Sequence, residues 1–149
     1  MHKLFDAVRN RGFGEDICFL CGCKLTECNR TKEHVIPLWA QQRYRLFDQR
    51  MILLNGTEIP YRQLTVPCCF GCNNIHLKPI EDEVSEAVLV GSDAVEAIGP
   101  YKLFIWLSKI FYGLLYKELF LQFERSNPQD NDTITDPELL MAQLSHMQI

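Results

Sequence analysis

The spacing of apolar positions changes several times along the chain, and each change predicts an element. Over residues 2–10 apolar residues recur at helical intervals, so a short amphipathic helix is expected, ended by Arg11-Gly12-Phe13-Gly14. "ICFLCGCKL", from Ile17 to Leu25, reads as two short strands about a tight turn, with Gly22 supplying the turn geometry. "EHVIPLW" begins as a strand. Pro37 breaks it, and "LWAQQRYRLF" reads as helical. "MILLNGTEI" sets Asn55-Gly56 between two apolar runs, which predicts a hairpin closed by a type I′ turn. "YRQLTVP" is a further β-like run. From Cys72 to Val90 the apolar positions Ile75, Ile80, Val84, Ala87 and Val88 return to helical spacing. Pro79 is expected to divide that span into a short helix and the "IEDEVSEAVLV" helix. "GSDAVEAIGP" adds a short helix, with Ser92 as its N-cap.

Residues 101–123 form the most apolar segment. Lys102, Lys109, Gly113 and Lys117 fall along one stripe of the expected helix, and the other faces are apolar. Lys109 interrupts the middle of any window long enough to span a bilayer, so the expectation is a helix buried in the fold or covered by a partner. That partner is a second copy of the chain or a missing domain. A polar linker, "SNPQDNDTITDP", follows. The chain then stops after the amphipathic "ELLMAQLSHMQI", which reads as the end of a fragment or as an end completed by a partner. The expected division is a zinc-stabilised domain over residues 1–90 and a helical extension over 91–149.

The chain has 149 residues, of which 47% are hydrophobic and 23% charged, as in a folded domain. "MHKLFDAVRNRGFG" carries charges where a secretory signal would carry an apolar core, so a cytoplasmic protein is expected. The net charge of −4 is unevenly divided. Residues 1–80 hold 11 basic and 7 acidic side chains; residues 81–149 hold 4 and 12. A phosphate-bearing partner would therefore meet the front half, although a surplus of this size is also ordinary scatter.

Seven cysteines in a reducing compartment argue for metal rather than disulfides. Two pairs have C-x-x-C spacing: Cys18 with Cys21 in "CFLC", and Cys69 with Cys72 in "CFGC". Four thiolates make a closed tetrahedral Zn²⁺ site, and nothing else in the chain suggests iron–sulfur redox work. Cys68 competes with Cys69, but the two-residue spacing favours Cys69. Cys23 and Cys28 read as spare thiols. A zinc joining the two pairs would bring the segment after Cys21 beside the helix near Cys72. Glu33 and His34 would then face Asn73 and His76, which share a helical face at a separation of three.

These residues resemble a known family. "CFLC … KEHVIPLW … LTVPCCFGCNNIHLKPIE" is similar to the zinc-containing HNH endonucleases over roughly residues 16–82. The resemblance implies an α+β fold: a treble-clef-like ββα-metal finger with structural zinc, followed by the helical C-terminal region. It implies metal-dependent hydrolysis of nucleic-acid phosphodiesters, DNA rather than RNA, in a bacterial or phage setting of restriction or defence. By position, His34 would be the general base. Glu33 and Asn73, with His76 as an added ligand, would hold a catalytic Mg²⁺ or Mn²⁺. Cys18, Cys21, Cys69 and Cys72 would hold the structural Zn²⁺. A neutral imidazole suits the task of taking a proton from water, and oxygen ligands suit a hard divalent ion.

The chain departs from the pattern in two places. Glu33 stands where Asp is more usual. No Asn precedes the second cysteine pair, and Gln63 or Thr65 occupies that region. Arg43, Arg45 and Lys78 are weak candidate contacts to nucleic acid; a solvated helix face explains "QQRYR" equally well. The alternative function is a catalytically decayed zinc-binding module that recognises nucleic acid or a protein.

Overall fold

The computed structural model describes residues 12–121 together with Thr133, Pro137 and Glu138. The expected helix over residues 2–10, and the linker and amphipathic stretch beyond residue 121 apart from those three residues, lie outside the described region. Within it the chain is α+β, with two small sheets and four α-helices.

Strand β1 (Arg30–His34) pairs antiparallel with β4 (Thr65–Cys69), with Arg30 opposite Cys69 and His34 opposite Thr65. Alternation along β1 puts Glu33 in the interior and leaves Arg30 and Lys32 exposed. Pro37 ends the extended segment and opens the six-residue helix α1 (Leu38–Arg43). β2 (Arg50–Ile52) and β3 (Glu58–Pro60) form a second antiparallel pair.

The turn between β2 and β3 differs from the expected type I′. Of its residues only Gly56 has positive φ, at 75°. The Gly56 amide donates to Leu53 O, and the Leu53 amide donates to Thr57 O. This is a three-residue loop, a type I turn followed by a left-handed glycine, in which one positive φ suffices. Asn55 closes the loop with its side chain, accepting from the Thr57 amide at 2.9 Å.

"ICFLCGCKL" contains one isolated bridge, Ile17 with Lys24, rather than two strands. The stretch is organised as a turn, with the Gly22 amide donating to Cys18 O and Gly22 at φ 73°. "YRQLTVP" starts as a 3₁₀ turn over Tyr61–Gln63 before β4 begins.

After β4 the chain enters a π-helical segment, Gly71–Leu77, that continues directly into α2 (Lys78–Val90). Pro79 therefore marks a change of helical pitch, not a gap. The wider π turn leaves room for a residue that cannot donate to the carbonyl behind it. α3 (Ser92–Ile98) follows, and Ser92 is its first helical residue instead of its cap: Gly91 precedes the helix and no side chain caps it.

The apolar segment forms α4 (Pro100–Glu118), ending short of the expected residue 123. The middle of its polar stripe faces inward, while Lys102 at its start is exposed and pairs with Glu83. Lys109 and Gly113 are buried alongside Ile105, Tyr112 and Tyr116, while Phe104, Leu107 and Phe111 are exposed. A Cβ on Gly113 would stand 3.2 Å from Val35 Cγ2, so glycine lets the helix lie close to the chain just after β1. Phe19 stacks on Tyr112 at 5.8 Å and meets Tyr116 edge-on at 6.1 Å. The Tyr116 hydroxyl donates to Gly14 O at 2.9 Å and accepts from Gly14 N at 3.1 Å, so α4 holds the segment leading to Cys18. No helix among the described residues is long and apolar enough to cross a membrane.

Candidate metal centre and adjoining groove

Two backbone devices gather the thiols. The Cys18–Gly22 turn places Cys18, Cys21 and Cys23 along one bend, and the end of β4 delivers Cys69 to it. The Sγ atoms of Cys18, Cys21, Cys23 and Cys69 all lie within 4.8 Å of one another, close enough to hold a metal ion such as zinc. Cys21 Sγ and Cys69 Sγ are 3.8 Å apart, which is about the edge of a tetrahedron with zinc–sulfur bonds of ~2.3 Å. Backbone amides point at the sulfurs: Cys69 N donates to Cys18 Sγ at 3.3 Å and Cys72 N to Cys69 Sγ at 3.4 Å. Amide donors of this kind favour thiolate over thiol.

The Cys72 thiol also reaches the cluster. Hydrogen bonds from Cys21, Cys68 and Cys72 pull the Cys18 thiol well below its ordinary range. The Cys68 and Cys72 thiols are pushed up by their bonds to Cys18, as is that of Cys21. Cys23 is also pushed up, first by desolvation. The four mutually close sulfurs are therefore those of Cys18, Cys21, Cys69 and Cys23, which the sequence marked as spare; Cys72, the expected fourth ligand, interacts with Cys18 and Cys21 but is not one of that set. Cys28 is an exposed free thiol.

Towards the other end of β1 lies a groove of about 420 Å³ whose walls include Lys32, Glu33, His34, Asn73, Lys78 and Glu81. His34 ends β1. Asn73 comes from the first turn of the π-helical segment, and its amide nitrogen donates to Thr31 Oγ1 at 2.9 Å and to Lys32 O at 3.4 Å. Asn73 therefore ties the helix to β1 and caps nothing. His76 is not among the residues lining the groove. The expected pairing of Asn73 with His76 assumed an α-helical turn, whereas residues three apart diverge around the wider π turn.

The groove has a charged floor. Lys109 is 0% exposed and its ammonium pairs with the carboxylate of Glu33, itself 6% exposed. Lys109 Nζ also donates to Glu81 Oε1 at 2.8 Å and to His34 O at 2.8 Å. An ammonium has three protons, and three acceptors from β1 and α2 use all of them. Burial raises the Glu33 pKa; Lys109 opposes that and Glu81 adds to it. Burial lowers the His34 pKa, and Lys109 pushes in the same direction. His34 is thereby kept neutral at neutral pH, in the form that accepts a proton.

Two of the three candidate contact residues, Arg43 and Lys78, are separately engaged. The Arg43 guanidinium lies 5.1 Å from the Trp39 ring, and Trp39 stacks on Trp106 at 6.2 Å. Arg43 also donates to Ser85 O at 3.4 Å, so it fastens α1 to α2. Lys78 pairs with Asp82 at 2.9 Å across one helical turn. Arg45 is exposed and left-handed, with φ 56°.

Sequence reasoning missed Lys109 and Glu81. A lysine inside an apolar helix that does not span a membrane needs an acidic partner, which was a usable signal. The identity of the partners was not, since they lie 76 and 28 positions away. Comparison with protein-family models, curated proteins and solved structures returns no match.

Proposed function

We propose that the chain is an HNH-type, treble-clef-like ββα finger that hydrolyses nucleic-acid phosphodiesters, with His34 as the base that activates water. One observation carries this reading. Strand β1, which ends in Glu33-His34 and pairs with β4, lines one groove together with the helical segment bearing Asn73, and the same chain gathers four thiols close enough to hold zinc. Cys18, Cys21, Cys23 and Cys69 would hold zinc with no open position, so the ion would fasten the turn to the end of β4 and take no part in the chemistry.

In the groove, neutral His34 takes a proton as water attacks phosphorus, the phosphorus–oxygen ester bond breaks, and the departing sugar oxygen takes a proton from solvent water. Asn73 keeps the end of β1 in place through Thr31 and Lys32. Glu33 is engaged by Lys109 and does not fit as a divalent-ion ligand in this arrangement; the ammonium is the cation at that carboxylate. A second reading follows from this one contact. With Lys109 occupying Glu33, the domain binds nucleic acid without cutting it.

Incubation of the full chain with supercoiled plasmid, linear DNA and RNA, with Mg²⁺ or Mn²⁺ and with EDTA, separates the readings. Cleavage lost in His34→Ala, with folding and zinc content intact, is the expected result. Loss in EDTA as well, with zinc content and fold retained and activity restored by Mg²⁺ or Mn²⁺, would mean that Lys109 yields Glu33 to a divalent ion. Binding without cleavage under every condition would leave the second reading standing.

A further inference from the structure

Lys32 lines the His34 groove and also a second cavity of about 280 Å³. Arg30, Thr31, Thr65, Lys117 and Glu15 contribute to the walls of that cavity. Its lining holds three cations and one carboxylate. Arg30 is already engaged, donating to Glu15 O at 2.9 Å and pairing with Asp16. Lys32 and Lys117 are not. The ion pairs among the described residues involve Arg30, Arg50, Arg62, Lys78, Lys102 and Lys109, and neither of these two lysines.

The contrast with Lys109 is informative. That buried lysine is matched by two carboxylates, whereas half-buried Lys117 shares its cavity with one carboxylate, Glu15, and with a second ammonium, Lys32. Burial lowers the Lys117 pKa, Glu15 raises it, and the charge of Lys32 lowers it again. Two like charges gathered at the wall of a cavity, one of them partly desolvated, are stabilised by an anion between them. Thr65, directly opposite His34 in the strand register, adds a hydroxyl to the same wall.

Position identifies the anion. Arg30, Lys32 and His34 alternate along one face of β1, so neighbours in this set stand ~7 Å apart. That is comparable to the separation of successive phosphates along an extended nucleic-acid strand. We propose that the cavity binds a backbone phosphate of a nucleic-acid strand, held by Lys32 and Lys117, next to the phosphate presented to His34. The anion site stands on the cavity itself; its placement one phosphate from the scissile position rests on the hydrolase reading.

The test uses the full chain, the Lys32→Gln/Lys117→Gln double variant, Lys24→Gln as an exposed control outside the cavity, and His34→Ala. Binding of a short labelled single strand is followed by fluorescence anisotropy across a salt series. Two lost phosphate contacts lower the log–log salt slope by about 1.4 for a single strand, and affinity at low salt should fall about tenfold or more. Lys24→Gln should leave the slope unchanged. Inorganic phosphate should raise the wild-type Tm and leave that of the double variant unmoved. Without added anion, the double variant should melt close to wild type, because the repulsion from Lys32 and the attraction of Glu15 for Lys117 are lost together; a markedly lower Tm would make the lysines structural and overturn the proposal. An unchanged slope with a phosphate-dependent Tm would assign the cavity to free phosphate and overturn the strand assignment. An unchanged slope and no phosphate effect would remove the site altogether. Should His34→Ala cut like wild type while the double variant still loses strand affinity, the hydrolase reading fails and the anion site survives.

Discussion

Replacing Lys109 by methionine tests whether the buried ammonium organises the groove. Methionine is close in length and apolar, so packing within α4 is largely kept and the charge is deleted. Three acceptors then lose their donor: the Glu33 carboxylate, Glu81 Oε1 and His34 O. Glu81 keeps 18% of its side-chain surface and can turn to water, whereas Glu33 keeps only 7%. Breaking a buried pair by removing one partner costs about 3–5 kcal/mol, because the other charge stays uncompensated. The expected Lys109→Met penalty is therefore about 3–5 kcal/mol near neutral pH. The cost depends on pH. Burial already raises the Glu33 pKa in the folded state, and removing Lys109 raises it further. The folded protein then binds the proton more tightly than the unfolded chain, so stability falls as pH rises above the ordinary carboxylate range. Urea melts at about pH 5 and about pH 8 should show the larger deficit at the higher pH. Adding Glu33→Gln should recover most of it, since no buried charge remains. A Lys109→Met deficit below about 1 kcal/mol, equal at both pH values, would refute the reasoning.

The thiols, His34 and Gly113 give three further outcomes. Cys18→Ser or Cys69→Ser should lose bound zinc and the folded state together, while Cys28→Ser should lose neither, as read by zinc content and circular dichroism. The His34 pKa is lowered by burial and by Lys109. The unfolded chain therefore binds that proton more tightly, and the His34 contribution to stability is present above the ordinary histidine pKa and lost as pH falls through and below it. An NMR titration placing His34 above the ordinary histidine range would contradict this. Gly113→Val should cost about 1–3 kcal/mol by overpacking, because even a Cβ there stands 3.2 Å from Val35; a thermal melt at or above wild type would contradict it.

Local chemistry was legible in the chain. The Cys18/Cys21 and Cys69/Cys72 spacings pointed to a thiol cluster able to hold a metal, because a C-x-x-C turn is specified by adjacent residues, but not to Cys23 in the place expected of Cys72. Pro37 marked the end of β1, and Asn55-Gly56 marked a hairpin, since backbone permissions reside in single residues. The hairpin's turn class was not legible, because one left-handed glycine satisfies the closure where two positive φ values were expected. Ser92 likewise carried a capping preference that the backbone around Gly91 did not use.

What the sequence by itself determined was the set of chemical parts: thiols paired for a metal, a Glu-His step at a strand end, and a lysine stranded in an apolar helix. What only the tertiary structure decided was which parts meet. Helical periodicity gives the stripe of α4 that carries Lys109 but not the direction it faces, and the fold turned the middle of that stripe inward. Lys109 thereby became the partner of Glu33 and Glu81, and Lys117 came to share a cavity with Lys32 and Glu15. Cys23 joined the thiols because the Cys18–Gly22 turn curls back on itself. Such pairings join residues tens of positions apart, and they are set by packing constraints distributed over the whole chain, which local patterns do not encode.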